Sequence, residues 1–220
     1  MITLAIGNSI IECELSEQGF SHIKFPHSKN VEEIISTLGL VIQKTEIREN
    51  PKSTRLLSSN QGMSFHTDHN AAKYIAWFCN SQSVTGGQSL LVDTKKILQK
   101  FSVNSLSLLQ EISVKTHQVF YADKLSVPLL TINDSEQTSI YYAQWLVNNP
   151  ACIKHQRALE KFEQEIKSAE PTKLLLSEGD LLIIDNHRML HGREGFPSHS
   201  NRWLTRYWLQ SSNINKITNN

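Results

Sequence analysis

The segment Phe65-His66-Thr67-Asp68-His69 is the first place in the chain where residue types and spacing offer chemistry. In an extended strand, residues two apart project from one face, so His66 and Asp68 would offer one imidazole and one carboxylate to a single ion. Two histidines and one carboxylate on one side of a metal, with the other positions open, is the arrangement used by mononuclear iron(II) oxygenases. The triplet alone is a common surface pattern, so the reading depends on a second histidine. There are four candidates. His187 and His191 lie in Asp185-Asn186-His187-Arg188-Met189-Leu190-His191-Gly192-Arg193, directly after the apolar run 181–184. His117 falls in a candidate strand and His155 on a candidate helix, where an ordinary hydrogen-bonded or exposed histidine is the simpler reading. Spacing does not choose between His187 and His191, because residues four apart share one face of a regular strand.

Further along, Arg202, Leu204 and Arg206 share one strand face, and Trp203, Thr205 and Tyr207 share the other. Two guanidinium groups aimed into a barrel are costly unless anions meet them. A planar guanidinium suits a carboxylate, which it binds through two parallel hydrogen bonds.

These residues need elements to hold them. Residues 1–25 read as short strands, alternating in Ile10-Ile11-Glu12-Cys13-Glu14-Leu15 and again at His22 to Phe25. A short helix follows, with Asn30 as N-cap, Glu33 at the capping-box position and Gly39 as its stop. Tyr74 to Cys79 and Ser89 to Val92 read as strands, and 94–112 as a helix broken near Ser102 to Asn104. Strands are expected at 114–121, 129–132 and 140–147, then a helix opened by Asn149-Pro150 and closed before Pro171. Two strand regions, 174–185 with a turn at Gly179-Asp180 and 203–209, complete the chain. Many short strands with few helices point to a mainly β domain, a sandwich or jelly roll with peripheral helices. Trp77, Trp145, Trp203 and Trp208 read as core or pocket wall.

Taken in order, His66-Thr67-Asp68, Gly86-Gly87-Gln88-Ser89, Gly179-Asp180 with Asp185-Asn186, His191-Gly192-Arg193, and Arg202 with Arg206 resemble the taurine dioxygenase and clavaminate synthase-like family. The likeness runs from about residue 55 to 209. It implies a double-stranded β-helix and a mononuclear iron(II) oxygenase that consumes 2-oxoglutarate and O2. His66, Asp68 and His191 match the family's iron ligands, which selects His191 over His187. Arg202 matches the anchor of the 2-oxoglutarate C5 carboxylate, assisted by Ser89, where many members carry threonine. Arg193 would contact the cosubstrate or brace a ligand. Arg206 would meet an acidic group on the substrate, and His69, Asn70, Gln61, Ser64, Tyr142 and Gln144 are candidate substrate contacts. The interval from Asp68 to His191 is short for the family, which implies a trimmed substrate lid. Asp68 argues against a halogenase, which lacks that carboxylate. Hydroxylation of a small acid is the expected outcome: a free amino acid, a carrier-bound aminoacyl group or a sulfonate. Desaturation, cyclisation and epoxidation share the same ligands. The rivals are a cupin-type metalloenzyme using zinc or manganese and a non-catalytic ligand-binding jelly roll.

Bulk properties fit this reading. The 220 residues suit one domain, with the site-bearing part at 55–209 and N-terminal strands and a helix at 1–54. Twenty-two Lys and Arg against 21 Asp and Glu leave a formal net charge of +1, which gives no case for nucleic acid or an anionic membrane. Cys13, Cys79 and Cys152 are few, odd in number and widely spaced, as expected of reduced thiols in a cytoplasmic protein. Oligomeric state is not legible.

Overall fold

The computed structural model describes residues 2–24, 31–50, 52, 56–82 and 85–211. The expected N-cap Asn30 and the strand end at Phe25 lie outside them. In chain order the elements are α1 (Ile2–Gln18), β1 (Phe20–Ile23), α2 (Val31–Leu38), β2 (Gly39–Arg48), β3 (Met63–His66), β4 (Tyr74–Ser81) and β5 (Ser89–Asp93). Then come α3 (Thr94–Leu98), α4 (Val103–Glu111), β6 (Ser113–Lys115), β7 (Ser126–Pro128), β8 (Leu130–Ile132), β9 (Thr138–Ile140) and α5 (Ile153–Ser168). The last four are β10 (Thr172–Leu174), β11 (Leu181–Asp185), β12 (Met189–Arg193) and β13 (Trp203–Ser211).

Two antiparallel sheets form the jelly-roll core. The larger has the order β1-β11-β4-β13-β2, the smaller β10-β5-β12-β3. Alternation along the strands shows how they stack. Leu182 and Ile184 of β11 join Ile75, Trp77, Leu204 and Trp208 with Leu91 and Met189 of the smaller sheet, which makes the layer between the sheets. Leu181 and Ile183 point the other way, onto Ile11 and Leu15 of α1 and Ile35 and Leu38 of α2. On the far side, Val92 and Leu190 pack with Leu109, Phe162 and Ile166 of α4 and α5. Both faces of β11 are therefore covered, and its run Leu-Leu-Ile-Ile is buried throughout.

Several sequence expectations change here. Residues 2–18 form a helix, not strands: Ile11 and Leu15 are one turn apart and bury a single face, while Ile10 is exposed. β2 was not anticipated, because it is an edge strand burying only Gly39 and Ile47 along its length. Most of 114–121 and 140–147 is loop around short hairpins and a 3-10 turn at Gln144–Leu146. α5 starts at Ile153 with Cys152 as N-cap, three residues past Asn149-Pro150.

Candidate active site

His66 ends β3 and stands directly opposite His191 on β12, their ring centroids 4.3 Å apart. The chain then leaves the sheet. The Thr67 N–H donates to the Tyr142 carbonyl (2.7 Å), and the Tyr142 N–H donates back to Thr67 Oγ1 (2.9 Å). Asp68 therefore sits in a loop, not two places along a regular strand. Asn186 holds that loop: its Oδ1 accepts the Asp68 N–H at 2.8 Å, and its Nδ2 donates to the Ala72 carbonyl at 2.9 Å and the His69 carbonyl at 3.3 Å. The result is a buried set, His66, Asp68 and His191, whose ligand-type atoms lie within 4.8 Å of one another.

His187 is elsewhere. β11 stops at Asp185, and the turn at 186–188 carries the chain into the other sheet, so the four-residue spacing does not place His187 and His191 on one face. His187 Nε2 donates to the Asn70 carbonyl at 2.9 Å. His155 bonds Glu111 and Cys152, far along the chain from the set. His117 is half-buried and feels the charges of Asp68, His66 and Arg206, a proximity that no spacing rule revealed.

The electrostatics favour neutral imidazoles beside an ionised carboxylate. His66 Nδ1 bonds the Ser64 carbonyl at 2.8 Å, which leaves Nε2 as a lone-pair donor toward Asp68 and His191. Burial holds His66 below its ordinary range and, with His66 as a neighbour, takes His191 down to about 3. Burial alone would raise the Asp68 carboxyl, but Arg206, His191, His66 and the Trp208 indole outweigh it and hold it at about 2. Arg206 donates to both Asp68 oxygens (2.9 and 3.1 Å), and Trp208 Nε1 donates to one of them at 2.8 Å.

A cavity between the sheets opens beside the two histidines. Ser89, Leu91, Trp77, Arg193, Arg202 and Leu204 are among the residues that line it. Its described lining carries three arginines and no acidic side chain. Arg202 is buried, its Nε has no partner among the described residues, and burial lowers it to about 10. The Gly86-Gly87 turn makes room for it. Gly87 has φ +69°, and a Cβ there would stand 3.2 Å from Arg202 Nε.

Other anticipated contacts are placed differently. Tyr142 turns away from the set, its hydroxyl donating to Glu163 (3.1 Å) and its ring packed edge-on against Phe162 of α5. It serves the site through its backbone. His69 is fully buried: the Ala71 N–H donates to its Nδ1, and its Nε2 bonds Asp123 at 3.0 Å, so both nitrogens are used. Asn70 offers its carbonyl to His187. Gln61 is exposed, and its carbonyl accepts from Arg193, whose guanidinium also binds the Ser59 carbonyl (2.6 and 2.7 Å). Arg193 thus braces the 59–61 segment while lining the cavity. Arg206, expected to meet a substrate anion, is paired with Asp68.

The set fits iron(II): two neutral imidazoles, one ionised carboxylate and an adjoining cavity. A comparison with protein families matches residues 20–208 to the family described as "Taurine catabolism dioxygenase TauD, TfdA family". The chain belongs to this family. It is an oxygenase of the kind that uses iron and 2-oxoglutarate. Among curated relatives, "3-((Z)-2-isocyanoethenyl)-1H-indole synthase" from Fischerella ambigua is 30% identical over 185 residues, covering 73% of this chain and 67% of the relative. "Dioxygenase str8" from Strobilurus tenacellus is 22% identical over 194 residues; the match covers 77% of this chain and 46% of that larger protein. The oxygenase's fold is shared with a solved asparagine oxygenase bound to Fe(II), 3-hydroxyasparagine and succinate (TM-score 0.72, 15% identity, 94% of this chain and 79% of that one). It is shared also with the non-heme iron oxygenase OrfP bound to Fe and alpha-ketoglutaric acid (TM-score 0.75, 17% identity, 94% and 80%). Among the described residues, no helix is long and apolar enough to cross a membrane.

Proposed function

We propose that this oxygenase hydroxylates an unactivated C–H bond of a small carboxylate-bearing substrate, an amino acid or its derivative, free or held on a carrier. His66, Asp68 and His191 would hold the iron, and Arg202 with Ser89 would bind the distal carboxylate of 2-oxoglutarate. The observation that carries this reading is the acid-free cavity that joins His66 and His191, two members of the buried His66, Asp68 and His191 set, to the buried Arg202. When bound there, iron and 2-oxoglutarate would supply the oxidant for O2-dependent hydroxylation of the substrate C–H, with succinate and CO2 as co-products.

The chain's own residues prepare that chemistry. Asn186 fixes the loop bearing Asp68, and Arg206 and Trp208 keep its carboxylate ionised and oriented. Arg202 supplies a fork that matches a carboxylate and sets the cosubstrate's direction in the cavity. Trp77, Leu91 and Leu204 give the cavity apolar wall beside its arginines.

Desaturation is the second reading. The Fischerella relative is named for a product with a carbon–carbon double bond, and removing two hydrogens as water balances with the same O2, 2-oxoglutarate, succinate and CO2. The deciding experiment incubates the iron-loaded protein with 2-oxoglutarate, O2 and a panel of amino acids and N-acyl amino acids. Succinate release stimulated by at least one acid, with product mass raised by one oxygen, supports hydroxylation; a loss of two hydrogens supports desaturation. No stimulated release across the panel counts against both.

A further inference from the structure

Each imidazole of the set is flanked by a tryptophan, and the two are not alike. Trp77 is 9% exposed, lines the cosubstrate cavity and meets the His191 ring edge-on at 5.1 Å. Trp145 is 48% exposed, is not part of that cavity's lining, and lies 5.4 Å from the His66 ring at a 51° tilt. Its place is set by the backbone. Residues 142 and 143 run beside His66 and Thr67 through the His66–Ala143 bridge and the paired Thr67–Tyr142 bonds, and the 3-10 turn Gln144–Leu146 then lifts the indole over His66. Tyr142, two positions before the turn begins, goes the opposite way into the α5 core.

We infer that Trp145 is a specificity-determining residue, the wall on which a planar aromatic ring of the substrate stacks as its target carbon approaches the metal set. The inference rests on the oxygenase reading above. An indole left half in water beside a buried metal ligand leaves apolar area for a ligand to cover. It adjoins the His66 ring and is not among the residues that line the cavity assigned to 2-oxoglutarate.

The test uses matched acids that differ only in ring character: 3-phenylpropionate and indole-3-propionate against 3-cyclohexylpropionate. Protein loaded anaerobically with iron(II) and 2-oxoglutarate is titrated with each, following the visible charge-transfer band and tryptophan fluorescence. The two aromatic acids should bind about three- to tenfold more tightly than the cyclohexyl acid. Trp145→Ala should erase that difference while leaving the band's formation and the 2-oxoglutarate affinity intact; Trp145→Phe should restore most of it. Equal binding of the three acids, no binding of any, or a preference that survives Trp145→Ala would overturn the inference. Failure of the band itself, in the unmutated protein, would instead overturn the oxygenase reading on which the inference stands.

Discussion

Asn186→Ala is the perturbation that asks most of the site's architecture. The side chain is 1% exposed and touches none of the proposed ligands' donor atoms, yet it accepts the Asp68 N–H at 2.8 Å and donates to the Ala72 carbonyl at 2.9 Å. Alanine removes both bonds and leaves the Asp68 N–H buried without its acceptor. Each buried polar group left unpaired costs about 1–3 kcal/mol, so the two short bonds together represent about 2–6 kcal/mol. For a chain of this size that corresponds to a fall in melting temperature of roughly 4–24 °C. Because the freed loop carries Asp68, iron affinity should fall as well, by about 10- to 100-fold, the usual consequence of losing a group that orients a ligand. Calorimetric melting of the iron-free protein and anaerobic iron(II) titration read the two effects separately. A variant that melts within about 2 °C of the parent and binds iron as tightly would refute the argument that Asn186 holds the Asp68 loop.

Arg202→Met should weaken 2-oxoglutarate binding by about a hundredfold in anaerobic calorimetry, and Arg202→Lys by about tenfold, since lysine keeps the charge but not the fork. Gly87→Ala, strained at φ +69° and crowding Arg202, should raise KM for 2-oxoglutarate while kcat changes little. Tyr142→Phe should cost at most about 1 kcal/mol of stability in urea unfolding and leave turnover unchanged, because its hydroxyl serves Glu163. The iron-free protein should lose stability as pH falls from about 6.5. His191 stays neutral down to about 3 when folded and Asp68 stays ionised down to about 2, so in those windows the unfolded chain binds more protons. Urea unfolding at pH 7.5, 5.5 and 4.5 checks this, and His191→Gln should flatten the upper part of the slope.

The strands that carry the site were legible because they are central. β4, β11 and β13 read as continuous apolar or alternating runs, and Arg206 indeed lies on the inward face with Leu204 and Trp208. β2 was not legible, since an edge strand with two buried positions has little apolar signal. α1 was misread because Ile10 to Leu15 satisfies alternation as well as the four-residue spacing of Ile11 and Leu15, and only the neighbouring sheet decides between them. At the site, residue types named the chemistry and the family resemblance selected His191; strand spacing could not, because the turn after β11 carries the chain into the other sheet before His191. The side chains of Tyr142 and His69, two candidate substrate contacts, are engaged elsewhere. His69 follows Asp68 in sequence and Tyr142 pairs with Thr67 through its backbone, yet their side chains are spent on Asp123 and Glu163.

The central claim is that His66, Asp68 and His191 hold the iron. Anaerobic iron(II) titration of His191→Ala and His187→Ala, each with 2-oxoglutarate present, tests it most directly. His191→Ala should abolish iron binding and the visible band, whereas His187→Ala, which loses a bond to the Asn70 carbonyl, should keep both. Iron bound normally by His191→Ala, or lost from His187→Ala, would contradict it.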